Sequence, residues 1–169
     1  MDFRMYQLLQ PLFRGGMITR EESVVIAKSW LQTPYVMGGQ LKNVGCDCAT
    51  LISAYLIEIG AAAKSDAVLY SHDWFCNTTR ERYMQGLIRY AACTLETVAR
   101  GTVAAALPGD IVLFKAVRSR LYNHGGIVVS WPRIIHAVHP CVTESDATAH
   151  YLTGFTTMSV FDPWEKQRA

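Results

Sequence analysis

At 169 residues, half of them apolar and 18% charged, the chain is long enough to bury one core and too apolar to stay disordered. Its 16 basic and 14 acidic residues leave a formal charge of +2, too even for the concentrated basic face of a nucleic-acid binder. No stretch approaches the roughly 20 apolar residues of a membrane span, so no membrane insertion is expected.

Residues 1–16 read as an N-terminal arm or extension closed by Gly15-Gly16, and residues 17–169 as one domain. Phe3, Tyr6, Leu8, Leu9, Leu12 and Phe13 give the arm too much apolar surface for free solvation, so it either docks or derives from an upstream start. Gln7, Gln10 and Pro11 interrupt its apolar patch and no small-residue cleavage site follows, which predicts synthesis in the cytoplasm without a signal peptide. Five cysteines, too few and too irregular for a disulfide framework, suit the same reducing compartment. Cys76, Cys93 and Cys141 read as small buried hydrophobes.

Thr19 and Glu22 form a capping box that opens a helix through Val25, Ile26 and Leu31, ended by Pro34 and Gly38-Gly39. A second helix is predicted from Cys48 to Ile59, with Leu51, Ile52, Tyr55 and Leu56 on its apolar face and Gly60 as its left-handed cap. A third is predicted over 74–90, with a short one over 94–100. Leu107-Pro108-Gly109-Asp110 then marks a turn, in which Asp110 serves the turn rather than acid catalysis. Beyond it, runs rich in β-branched residues at 111–114, 126–129, 134–138 and 155–160 read as strands. Gaps such as Trp131-Pro132 are too short for crossovers, so the strands should pair antiparallel. Helices first and sheet second make the fold class α+β.

Chemistry concentrates at Gly45-Cys46-Asp47-Cys48-Ala49-Thr50. A cysteine at a helix start has the positive end of the helix dipole to favour its thiolate, and first-turn N–H groups to stabilise an oxyanion. Cys46 reads as packing under the loop. A thiol needs a base, and Asn123-His124-Gly125-Gly126 sets His124 at the mouth of a strand. His136, on the next strand, falls beside it across an antiparallel pair and is placed to orient the imidazole. A zinc site built from Cys46, Cys48, His136 and His139 is disfavoured, because residues three apart on a strand face opposite ways. Neither a metal nor another cofactor is therefore expected. His72 and His150 read as surface residues.

Thr33-Pro34-Tyr35-Val36-Met37-Gly38-Gly39, Gly45-Cys46-Asp47-Cys48, Leu107–Phe114, Asn123–Val128 and Ile135-His136-Ala137, in that order, resemble the NlpC/P60 cysteine peptidases. The resemblance implies a papain-like fold and hydrolysis of peptide bonds in peptidoglycan stem peptides, at the γ-D-glutamyl–diaminopimelate bond. It implies Cys48 as nucleophile, His124 as base and His136 as the orienting residue. By the same likeness Tyr35 and Asp47 line the substrate side, against the plainer readings of core packing for Tyr35 and helix capping for Asp47. Ala49-Thr50 where the family has Ser-Gly, and Met37 for a common tryptophan, resemble a branch associated with bacteriophage tails. That branch implies tail proteins as partners and carriage to the wall on the particle. An acyltransferase or amidase of the same fold, or a structural tail component that has lost activity, are the alternative readings.

Overall fold

A computed structural model describes residues 17–63, 79–99, 106–116, 119–148 and 155–168. The arm over 1–16, His72, His150 and Cys76 lie outside these residues.

The chain forms α1 (Arg20–Lys28), β1 (Gln40–Leu41), β2 (Gly45–Cys46), α2 (Cys48–Glu58), α3 (Arg82–Leu87) and β3 (Ala92–Ala99). It continues with β4 (Ile111–Ala116), β5 (His124–Ser130), β6 (Arg133–Ala137), β7 (Val142–Asp146), β8 (Phe155–Asp162) and α4 (Pro163–Arg168). Both halves of the predicted capping box are present at α1: Thr19 accepts from the Glu22 N–H, and the Glu22 carboxylate accepts from the Thr19 N–H at 2.8 Å. Helix α2 ends as expected, with Gly60 at φ +81.

Six strands form one sheet in the order β3-β8-β4-β5-β6-β7, every neighbouring pair antiparallel, and β1 pairs with β2 in a separate hairpin. The helices-then-sheet order is thus realised. One face of the sheet contributes Ile111, Leu113, Ile127, Val129 and Ile135 to the main core, where they meet Leu51, Ile52, Tyr55 and Leu56 of α2 and Ala27 and Trp30 at α1. Alternate residues Val112, Phe114, Val128, Ile134 and Val160 form a second buried cluster. Burial on both faces is why 111–114 reads as a continuous apolar run instead of an alternating one. Each large aliphatic side chain so buried contributes about 1.5–3 kcal/mol.

Three expectations are corrected. The segment predicted as a short helix over 94–100 contains most of β3, because its β-branched residues pair with β8 at the sheet edge. Of the helix predicted over 74–90, only Arg82–Leu87 is helical among the described residues. Cys93 is exposed rather than buried, since it lies on the edge strand. Strand β7 was not predicted at all; Val142-Thr143-Glu144-Ser145-Asp146 is too polar to announce one.

The turn at Pro108-Gly109-Asp110 ties the layers together. Tyr55 of α2 donates its hydroxyl to the Gly109 carbonyl at 2.8 Å. Gly109 sits at φ +88 with Trp164 and Ser23 close by, so a side chain there has neither conformation nor room. Asp110 serves the turn as expected, accepting from the Leu107 N–H at 2.8 Å, and it also receives Arg20 Nη1 at 2.7 Å. Arg20 Nη2 reaches Asp162 at 2.7 Å, and its guanidinium lies 4.4 Å over the Trp164 ring.

Candidate active site

The site grows from the start of α2. Asp47 is its N-cap: Oδ1 accepts from the N–H groups of Ala49 and Thr50, each at 3.0 Å, and Thr50 Oγ1 accepts from the Asp47 N–H at 2.8 Å. Thr50 is therefore the reciprocal half of a capping box, a physical role for one residue of the Ala49-Thr50 pair. The other carboxylate oxygen, Oδ2, accepts from Gly38 N–H at 2.7 Å and fixes the preceding loop. The capping reading of Asp47 is realised. Its consequence is that the Ala49 and Thr50 N–H groups, expected as oxyanion donors, are engaged by the cap.

Cys46 is buried in β2, its N–H donated to Pro34 and its carbonyl accepting from Val36, in keeping with a packing role. Tyr35 forms a parallel bridge with Cys46 and is half-buried. Its phenol is pushed up to about 12, by burial first and then by Cys48, Asp47 and Cys46.

Cys48 is the first residue of α2. Its Sγ lies 3.9 Å from the carbonyl of Asn123, and the N–H of Gly125 also bonds the sulfur. The thiol is thus seated against the backbone on either side of His124. Gly125 has no room for a side chain: a Cβ there would stand 2.6 Å from Ile52 Cδ1, 2.8 Å from the Tyr83 hydroxyl and 2.9 Å from Leu113 Cδ2. Burial pushes the thiol up to about 12 and Asp47 adds to it, against the opposing pull of the Tyr83 hydroxyl and the N–H groups of Gly125 and Ala49. Desolvation therefore outweighs the hydrogen bonds that favour the thiolate, and the neutral thiol is favoured at rest.

His124 opens β5 opposite Phe114, on which its ring stacks at 6.2 Å. The tight β5–β6 hairpin, in register at Ile127 and Ile135, brings His136 beside it as predicted. His124 Nε2 and His136 Nδ1 are 2.8 Å apart, the rings edge to face. His136 is buried, and its Nε2 meets Ser145 Oγ of β7 at 3.0 Å. One hydrogen occupies each of these contacts, so the two rings and the hydroxyl share a single tautomeric choice. Burial lowers His124 to about 3, helped by His136, and burial lowers His136 to about 4. Both rings are neutral at rest.

His139 lies exposed beyond the end of β6 while His136 is buried, so the two diverge as the spacing implies. Among the described residues no group of three or more His, Cys, Asp or Glu side chains is placed to hold a metal ion. Two residues of the site escaped sequence reasoning. Ser145 sits in the polar strand β7, whose composition announces no strand. Tyr83 of α3 donates its hydroxyl to the Cys48 carbonyl at 2.8 Å, and nothing in its helical spacing pointed there.

A family model described as the NlpC/P60 family matches residues 32–160. NlpC1 from Trichomonas vaginalis is similar in structure, with a TM-score of 0.57 at 16% identity over 92% of this chain and 47% of its own. A Staphylococcus aureus protein described as similar to lipoprotein, of the NLP/P60 family, gives 0.56 at 16% identity over 94% and 46%. The NlpC/p60 domain of the peptidoglycan hydrolase SagA gives 0.52 at 17% over 83% and 97%. The chain spans less than half of the first two of these proteins. At these identities the likeness is one of fold, papain-like and α+β. No curated protein matches the chain significantly.

Proposed function

Because the chain belongs to the NlpC/P60 family, whose members are generally peptidoglycan hydrolases, we propose that it is a cysteine peptidase cutting peptidoglycan stem peptides. Cys48 is the nucleophile, His124 the base and His136 the residue that orients it. The observation that carries this reading is the chain from His124 Nε2 through His136 to Ser145, set beside a thiol held by the backbone of residues 123 and 125.

That chain supports one direction of proton flow. With Ser145 accepting from His136 Nε2–H, His136 Nδ1 accepts from His124 Nε2–H, and His124 Nδ1 is the basic nitrogen. The thiol proton passes to Nδ1, the sulfur attacks the scissile carbonyl, and the imidazolium returns its proton to the leaving amine. Water, activated by the same nitrogen, then releases the thioacyl group. With the Ala49 and Thr50 N–H groups engaged, the oxyanion falls to the N–H of Cys48 itself. Since thiol and imidazole both rest neutral, proton transfer accompanies substrate binding rather than preceding it. Tyr35 meets the stem peptide, and Asp47 shapes the same wall through the Gly38 loop. The bond cut is γ-D-glutamyl–diaminopimelate. Ala49-Thr50 and Met37 support a phage-tail setting, with tail proteins as partners and the particle as carrier to the wall.

Incubating the protein with a defined stem peptide and weighing the products tests the reaction. Two fragments whose masses sum to substrate plus one water are expected, and a fragment carrying another acceptor would mark an acyltransferase instead. Cys48→Ala should melt like the wild type and hydrolyse nothing; turnover by that variant would sink the mechanism.

A further inference from the structure

We infer that the Tyr83 hydroxyl turns to donate to the Cys48 sulfur when the thiolate forms, which makes Tyr83 a further residue of the reacting pocket. This rests on Cys48 being the nucleophile. Three contacts place the hydroxyl. It donates to the Cys48 carbonyl at 2.8 Å, it lies within hydrogen-bonding reach of the thiol, and it fills the notch that Gly125 leaves by having no side chain.

A phenol carries one hydrogen. At rest that hydrogen goes to the Cys48 carbonyl, and a neutral thiol has little need of a donor. When the thiol proton moves to His124 Nδ1, the sulfur acquires a full negative charge in a partly buried place, where unbalanced charge is costly. Rotation about the phenol C–O bond redirects the hydrogen to sulfur without moving a heavy atom. Tyr83 keeps its proton throughout; the only proton transferred goes from sulfur to imidazole. The Cys48 carbonyl keeps the partner that helix geometry gives it four residues on.

The surroundings make this donor matter. Asp47 at the N-cap and Tyr35 on the preceding loop lie near enough to act electrostatically on the sulfur, and Tyr83 of α3 bonds it. Asp47 opposes a negative sulfur. The Ala49 N–H is shared with Asp47 Oδ1 at 3.0 Å, so the new charge rests chiefly on the Gly125 N–H and the Tyr83 hydroxyl. A charged acceptor roughly doubles the strength of such a bond, so the donor acts on the thiolate far more than on the thiol.

The test uses the full chain and iodoacetamide, following alkylation of the Cys48 peptide by mass spectrometry at neutral pH. Tyr83→Phe should alkylate about tenfold more slowly, the equivalent of about one pH unit in the thiol, with unchanged melting. Its kcat/KM on a stem peptide should fall by a similar factor. Tyr83 replaced site-specifically by 3-fluorotyrosine, a stronger donor of nearly the same shape, should alkylate faster than wild type, and it decides the matter if Tyr83→Phe does not fold. Alkylation at the wild-type rate in the variants would overturn the inference and leave Tyr83 a structural clip on the helix. Turnover by Cys48→Ala is a different failure: it removes the nucleophile assignment, while the alkylation rates still report donation to sulfur.

Discussion

Strands β4, β5, β6 and β7 lie in the sheet in the order they leave the chain, whereas β3 at the other edge pairs with β8, Ala92 opposite Asp162. The first region is built by short connections, and the β5–β6 register shifts only near its hairpin, between Val128 and Ser130. The β3–β8 pair carries two shifts within eight residues of β3. His124, His136 and Ser145 all belong to the first region, on three consecutive strands. Local pairing holds the proposed catalytic groups at fixed spacing, while the long-range edge carries none of them.

Substitutions should separate the two regions sharply. His136→Ala removes the middle of the hydrogen-bonded chain, and turnover should drop by about 10²–10⁴-fold, measured on a defined stem peptide. The same variant sharpens the comparison through pH. His136 and His124 are held to about 4 and 3 in the fold, against the ordinary 6.5. The unfolded chain therefore takes up protons first as pH falls, so their contribution to stability is full above pH 6.5 and is lost toward pH 4 and 3. Melting of the wild type should decline through that window, and His136→Ala should decline less steeply.

Two glycines give a matched pair. Gly125→Ala drives a methyl into Ile52, Tyr83 and Leu113, and should cost about 1–3 kcal/mol with a large loss of turnover. Gly86→Ala, in the exposed helix α3 with nothing within 4 Å of the new methyl, should instead stabilise by about 0.5–1 kcal/mol and leave turnover intact. Smallest of all, Cys93→Ser on the edge strand should stay within about 0.5 kcal/mol in denaturant unfolding. A turnover defect in Cys93→Ser would show that the edge does reach the site.

The same division governs what could be read in advance. Cys48 at a helix start was legible because Asp47 and the glycine loop mark a cap, and capping is local chemistry. The meeting of His124 and His136 was legible because a two-residue connection leaves an antiparallel pair little choice. β3 was misread because its partner among the described residues comes at the far end of the chain, and the alternation begun by Thr94-Leu95-Glu96 breaks at Thr97. Tyr83 was missed for a related reason, since it joins the candidate site through a contact 35 residues away, and Ser145 was missed because its own strand is too polar to announce itself. The oxyanion donors were overcounted, since Asp47 caps with the same N–H groups that a substrate would seek.

The Arg20 clamp has a consequence for architecture beyond this chain. Trp164 donates its indole N–H to the carbonyl of Ile18 at 2.8 Å, and Arg20 grips Asp162 two residues before Trp164. The first and last secondary elements among the described residues are thereby latched at one corner. A fold latched in this way can be spliced between other segments without stretching either junction, as a bead is threaded rather than a link forged.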